Sequence, residues 1–174
     1  TGAGVGAWFV PAKIDGRIGG TATHHFGEGM DSDSTITAWD APHRFAAEGS
    51  WGPNAPTIAT EWTVEARDGG TCVVRVVHRW FASTDDWDAQ FEGHTYGWAA
   101  FFRILRLYLT HFRGQPSAAF QLTGFGPEPK DQVWTKLFDL LGVSSVAAGQ
   151  HLKSGSRSPS LAGLVERVGE EAYP

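Results

Sequence analysis

Residues 71–81 read Thr71-Cys72-Val73-Val74-Arg75-Val76-Val77-His78-Arg79-Trp80-Phe81, and the alternation in this run decides the fold. In an extended strand successive side chains point to opposite faces. One face then carries Cys72, Val74, Val76, His78 and Trp80, the other Val73, Arg75, Val77, Arg79 and Phe81. Two arginines turn the second face toward water, so the first points inward. Cys72 is expected to pack there as a small apolar side chain, and His78 stands among apolar neighbours. Just upstream, Thr57–Ala66 divides the same way, with Ile58, Thr60, Trp62 and Val64 against Ala59, Glu61, Thr63 and Glu65. Asp68-Gly69-Gly70 joins the two runs, and such residues accept positive φ cheaply, which predicts a hairpin.

Working outward, Thr21–Phe26, Ser34–Trp39 and Arg44–Trp51 are further short β-rich runs. Turn clusters separate them, among them Gly27-Glu28-Gly29, Asp40-Ala41-Pro42 and Gly52-Pro53-Asn54. Sequential strands with short turns predict an antiparallel meander, not parallel βαβ units. After the strands comes a long helix, expected over Thr95–Arg113. Trp98, Phe102, Leu105, Leu109 and Phe112 recur at steps of four and three, widened by Phe101, Ile104 and Tyr108. Arg103, Arg106, Thr110 and Arg113 take the opposite face, and Gly114 supplies the stop. At 1.5 Å per residue this helix spans roughly 28 Å. Only a curved sheet offers so broad an aromatic stripe a surface to cover.

The rest of the chain predicts a strand at Pro116–Thr123, a helix at Asp131–Leu141 ended by Gly142, a polar linker at Ser154–Pro159 and a strand at Leu161–Val168. The segment 140–146 aligns weakly with 1–7, suggesting a partial internal repeat. Both ends read as cut from something longer, with a Gly-rich turn at Thr1 and an abrupt stop after Tyr173.

Composition bounds the function. The 174 residues carry a formal charge of −5, which argues against a nucleic-acid binder relying on a basic face. A single cysteine excludes an intrachain disulfide and a Cys-rich zinc site, and fits a reducing, cytoplasmic setting. No run approaches the roughly 20 apolar residues of a membrane span. Gly2-Ala3-Gly4-Val5-Gly6 lacks the preceding strand of a dinucleotide fingerprint and reads as a loop entering the sheet. His24 and His25 are adjacent, so on a strand they face opposite ways, and His43, His78, His94, His111 and His151 are scattered. Zinc needs three or four converging ligands, so neither metal nor cofactor is expected. No Gly-x-Ser-x-Gly elbow exists, and no catalytic residue is assigned.

Five features occur in order: a Gly turn before Trp8-Phe9-Val10-Pro11, Gly19-Gly20 before a strand, Trp39-Asp40-Ala41-Pro42-His43-Arg44-Phe45, Gly69-Gly70-Thr71, and Gly97-Trp98. Together they resemble the SRPBCC, or START-like, superfamily, in particular bacterial homologues of the C-terminal domain of the heat-shock-protein-90 ATPase activator. The resemblance covers about Thr1–Gly114. It implies an α+β helix-grip fold, a curved antiparallel sheet wrapped around a long C-terminal helix, with a cavity between them. It also implies that the family's first strand and most of its first helix precede Thr1. Residues 115–174 resemble an extension of some actinobacterial-looking members, part of a second, shortened START-like unit. Members range from lipid carriers and hormone receptors to aromatase/cyclases, so the fold does not fix the function. Co-chaperone activity does not carry over, because the eukaryotic activator uses an additional N-terminal domain.

These readings converge on a cavity for a small hydrophobic or amphipathic molecule, lined by Trp62, His78, Trp80, Trp98, Phe101, Phe102 and Leu105. Each of them can equally serve as core filling. His78 is the exception, because a titratable group on an apolar face needs a partner, either a protein group or a ligand oxygen. Two alternatives stand beside this one. One is a cyclase- or hydrolase-type enzyme in which His78 or a carboxylate such as Glu61 moves a proton. The other is a chaperone-linked interaction module with a filled core. Arg103, Arg106 and Arg113 form either a solvated helix face or a surface for an acidic partner.

Overall fold

A computed structural model describes residues 2–83, 85–117 and 126–168. Six strands run in chain order through one antiparallel sheet: β1 (Ala12–Ile14), β2 (Thr21–His25), β3 (Asp31–Asp40), β4 (Arg44–Gly49), β5 (Thr57–Arg67) and β6 (Thr71–Phe81). The short α1 (Gly2–Gly6) precedes the sheet, and α2 (Asp88–His111) follows it. This is the α+β meander with a long helix that the alternation and the helical stripe predict.

The β5–β6 hairpin has the longest ladder, running without a break from Thr57↔Phe81 to Arg67↔Thr71. Its turn is a single 3-10 turn in which Gly69 and Gly70 take φ of 74° and 72°. Thr71 Oγ1 donates to the Asp68 carbonyl at 3.1 Å and closes it. A bulge between Ile36 and Ala38 interrupts the β3–β4 register, and bulges of this kind bend a strand and increase its twist. The apolar side chains that are buried among the described residues are Val10, Ala22, Ile36, Ala47 and Ile58.

Tertiary pairing overrides local preference at several places. β3 begins at Asp31, three residues before the expected start, although Asp31, Ser32 and Asp33 are poor strand formers. Cross-strand partners hold them: His25 Nδ1 lies 2.9 Å from Asp31 Oδ1, and the Thr23 hydroxyl donates to Asp33. Gly2–Gly6 is a helical turn, not the expected loop. The amides of Trp8 and Phe9 donate to the Val5 carbonyl, and Gly2 lies so close to the Ala12 carbonyl that no Cβ fits. β4 stops at Gly49, and Trp51 leaves the strand where Ser50 Oγ donates to the Gly52 and Ala55 carbonyls.

Three further expectations need correction. Cys72 is exposed, at the strand's start beside the hairpin turn, one pair before the end of the ladder. α2 starts at Asp88, seven residues before Thr95, and ends at His111, where the Phe112 amide still donates to the Tyr108 carbonyl. The stripe on α2 is covered only along its first half. Trp98, Phe101, Phe102 and Leu105 are half-buried, but Leu109 and Phe112 are 48% and 54% exposed. Among the described residues, the ring contacts from the sheet side run along the helix as far as Phe102.

The chain divides into two compact units, Thr1–Leu122 and Thr123–Pro174. The second contains α3 (Lys130–Leu141) and the hairpin β7 (His151–Lys153) and β8 (Ala162–Leu164). Gly142 ends α3 in the left-handed conformation at φ 68°, the usual use of glycine there. The expected linker Ser154–Pro159 is instead the tip of this hairpin, tied by Ser154 Oγ to the Pro159 carbonyl and by the Leu161 amide to Ser154 Oγ. The strand expected over 161–168 is limited to its paired residues. The strand expected at 116–123 falls largely outside the described residues.

A close backbone approach between β3 and β4 makes a stability prediction. A Cβ on Gly49 would lie 2.4 Å from the Asp33 carbonyl oxygen and 3.0 Å from Ser34 Cα, whereas Gly52 has open space around it. Gly49→Ala is therefore expected to cost about 1–3 kcal/mol in chemical denaturation. Gly52→Ala should stay within about 0.5 kcal/mol of the parent.

Candidate functional site

The inner faces of the strands and the first half of α2 enclose a cavity of about 990 Å³. Strand alternation selects the wall: Ile58, Thr60, Trp62 and Val64 from β5, Phe45 and Ala47 from β4, and His78 from β6. Of the seven residues expected at the site, Trp62, His78, Trp98 and Phe101 line this space. Phe102 stands behind them, its ring centroid 6.0 Å from Trp62 and 6.2 Å from Trp98. Trp80 is also set back, edge-on to the His94 ring at 4.8 Å. Leu105 lies outside the lining.

The opposite wall was not legible from the strand faces alone. Phe9 leaves α1 and stacks on Trp98 at 5.6 Å and 15°, and meets Phe101 edge-on at 4.3 Å. His24 and Phe26 flank Phe9 at 5.8 Å and 5.7 Å. His94 enters because α2 begins earlier than expected, and it lies one turn before Trp98. The signal was present: stepping back four residues from Trp98 reaches His94.

The polar end of the cavity is built by register. Thr60 and His78 are direct cross-strand partners, so their side chains stand together on the inner face. Thr60 Oγ1 lies 2.8 Å from His78 Nδ1. His78 Nε2 in turn lies 3.2 Å from His94 Nδ1, with the two rings at 18° to one another. A chain of hydrogen bonds thus runs Thr60–His78–His94, from sheet to helix. Trp51 closes over it, 4.8 Å from the His94 ring, with its indole N–H donating to Ser32 Oγ.

Burial controls the charge of these imidazoles. His78 is pushed down to about 4, first by desolvation and then by the neighbouring His94. His94 is lowered by desolvation, and His24 by desolvation and then by His25. All three are neutral at pH 7. Glu61 alternates to the outer face, where it accepts from Arg44 Nε at 2.7 Å, while Asp31 lies in the cavity lining. His25 and Asp31 pair with each other at 2.9 Å. Among the described residues no cluster of His, Cys, Asp or Glu could hold a metal ion, and no helix is long and apolar enough to cross a membrane.

The lowered histidines give stability a pH dependence with a definite sign. His78 titrates near 4 when folded and near 6.5 when unfolded, so between these values the unfolded chain binds the extra proton. Stability present above about pH 6.5 is lost as the pH falls toward 4. Thermal melting should show Tm declining across this window, with a shallower slope in His78→Gln. An unchanged slope in that variant would place the source elsewhere.

The comparisons with known proteins agree with this architecture. No curated protein matches the chain. Among solved structures, the chain is similar to the crystal structure of DynU16, a protein of the dynemicin biosynthetic locus, with a TM-score of 0.52 and 20% identity. The match covers 90% of this chain and 59% of that one, so the chain spans about three fifths of its neighbour's length. At that identity the likeness is one of fold. The family model for activator of Hsp90 ATPase homolog 1-like proteins matches residues 2–110. With its antiparallel meander, its long helix and most of its length under that match, the chain belongs to the activator of Hsp90 ATPase homolog 1-like family, a branch of the START-like superfamily.

Proposed function

We propose that the protein binds a small hydrophobic or amphipathic molecule in the cavity between sheet and helix, without chemical turnover. The observation that carries this reading is the cavity itself, about 990 Å³ in volume and walled largely by aromatic rings. Ligand pockets typically occupy about 300–1,000 Å³, with apolar linings and a few placed polar groups. Here the rings of Phe9, Trp62, Trp98 and Phe101 supply the apolar surface, while Thr60, His78 and His94 supply the polar groups. Trp80 and Phe102 back these walls through their ring contacts with His94, Trp62 and Trp98.

The size of the cavity counts against an interaction module with a filled core. An enzyme of the cyclase or hydrolase kind keeps one specific observation in its favour. Thr60, His78 and His94 form a hydrogen-bonded chain along which a proton can move. It lacks a carboxylate from β5, because Glu61 faces the other way and is engaged by Arg44.

Native mass spectrometry of the protein isolated from its own host tests the binding reading. A discrete mass excess that disappears on denaturation is expected, and the released compound identifies its own chemical class. Trp98→Ala removes the ring that touches Phe9, Trp62 and His78, and should weaken retention of that compound about tenfold or more. Equal retention by parent and variant would reject this cavity as the binding site.

A further inference from the structure

We propose that Thr60, His78 and His94 form a reversible recognition element that reads one neutral oxygen, hydroxyl or carbonyl, on an otherwise aromatic ligand. This rests on the cavity-binding reading and adds the chemical class of the ligand.

The argument starts from the hydrogen-bond chain. A neutral imidazole carries one N–H donor and one bare nitrogen acceptor. Two arrangements therefore satisfy the same heavy-atom positions. In the first, His78 Nε2–H donates to His94 Nδ1, and the Thr60 hydroxyl donates to His78 Nδ1. His94 then carries its hydrogen on Nε2 and offers a donor. In the second, His94 Nδ1–H donates to His78 Nε2, and His78 Nδ1–H donates to Thr60 Oγ1. His94 Nε2 is then a bare acceptor. Thr60 makes both possible, because a hydroxyl donates and accepts equally well.

His94 Nε2 is thus the variable end of the chain. Its ring lines the cavity, and among the described residues this nitrogen makes no hydrogen bond. Trp51 and Trp80 stand 4.8 Å from the same ring and restrict its rotation. A ligand carbonyl selects the first arrangement, whereas a ligand hydroxyl accepts from the first or donates to the second, with the same side chains in the same places. Aromatic character follows from the rest of the lining, in which Phe9, Trp62, Trp98 and Phe101 offer ring faces and edges at 4.3–6.5 Å spacing. Anions are excluded. The imidazoles here are neutral, and the guanidinium at the margin, Arg44, is engaged by Glu61. A carboxylate would lose its hydration without gaining a counter-charge.

Equilibrium dialysis with four naphthalene probes tests this: naphthalene, 2-naphthol, 2-acetylnaphthalene and 2-naphthoate. The naphthol, a donor, and the acetyl compound, an acceptor only, should both bind about fivefold tighter than naphthalene. Naphthoate should bind at least about tenfold more weakly than naphthol. In His94→Phe both advantages over naphthalene should collapse toward unity. Thr60→Val leaves His78 Nδ1 without a donor in the first arrangement and without an acceptor in the second, so both probes' advantages should shrink while naphthalene binding is kept, a selective loss that poorer packing does not produce. If His94→Phe fails to fold, this selective loss carries the test alone.

Naphthalene binding with no preference for either oxygenated probe would overturn the proposal while leaving the cavity reading intact. So would a preference that survives both substitutions. Absence of binding by all four probes would overturn the cavity reading, and this inference with it.

Discussion

Large rings hold the helix away from the sheet, and the remainder of the structure follows from that spacing. Trp98 meets Phe9, Trp62 and His78 at centroid distances of 5.3–5.8 Å. Such contacts are made at ring edges and offset faces, the geometries that the aromatic quadrupole favours. Rings that touch at their rims leave volume between them that aliphatic side chains would have filled. The buried apolar residues among those described, from Val10 to Ile58, accordingly belong to the sheet and the segment leading into it. The helix contributes its rings to a wall, not to a close-packed core. Cavity and cohesion therefore have the same source.

That spacing also explains the chemistry of the polar end. The β5–β6 register fixes Thr60 against His78, and the helix brings His94 to the other nitrogen. Neither element builds the chain alone. Because the rings around them exclude water, the imidazoles are held neutral, and a neutral imidazole is the form with both a donor and an acceptor. His78 and His94 do not make a basic site here. They make a polar site without charge.

Most of the sheet was legible from the sequence, because alternation and turn chemistry agree along Thr57–Phe81. The Asp68-Gly69-Gly70 turn leaves one register, and one register puts Thr60 beside His78. What was not legible depends on contacts distant in sequence. The strand expected from Ser34 omits Asp31–Asp33 because their strand character comes from Thr23 and His25. Gly2–Gly6 read as a loop because its helical turn is imposed by packing against Ala12. The site was half visible: Trp62, His78, Trp98 and Phe101 follow from face and period. His94 was hidden by a helix start placed at Thr95, where Gly93 and Gly97 weaken the helical signal. Phe9 was hidden because a residue just outside a strand has no face to assign. Leu109 and Phe112 were placed on a covered stripe because periodicity reports which face a residue takes, not how far the opposing surface extends.

Cys72, displaced from the interior by its place beside the hairpin turn, is the chain's single thiol and is exposed. It lies on the same strand as His78, six residues away, which at about 3.3 Å per residue is roughly 20 Å. One dye attached there would stand outside the cavity at a fixed distance from its indoles. The β6 strand thus serves as a built-in ruler, and energy transfer along it would report changes in the cavity wall without altering any residue that forms it.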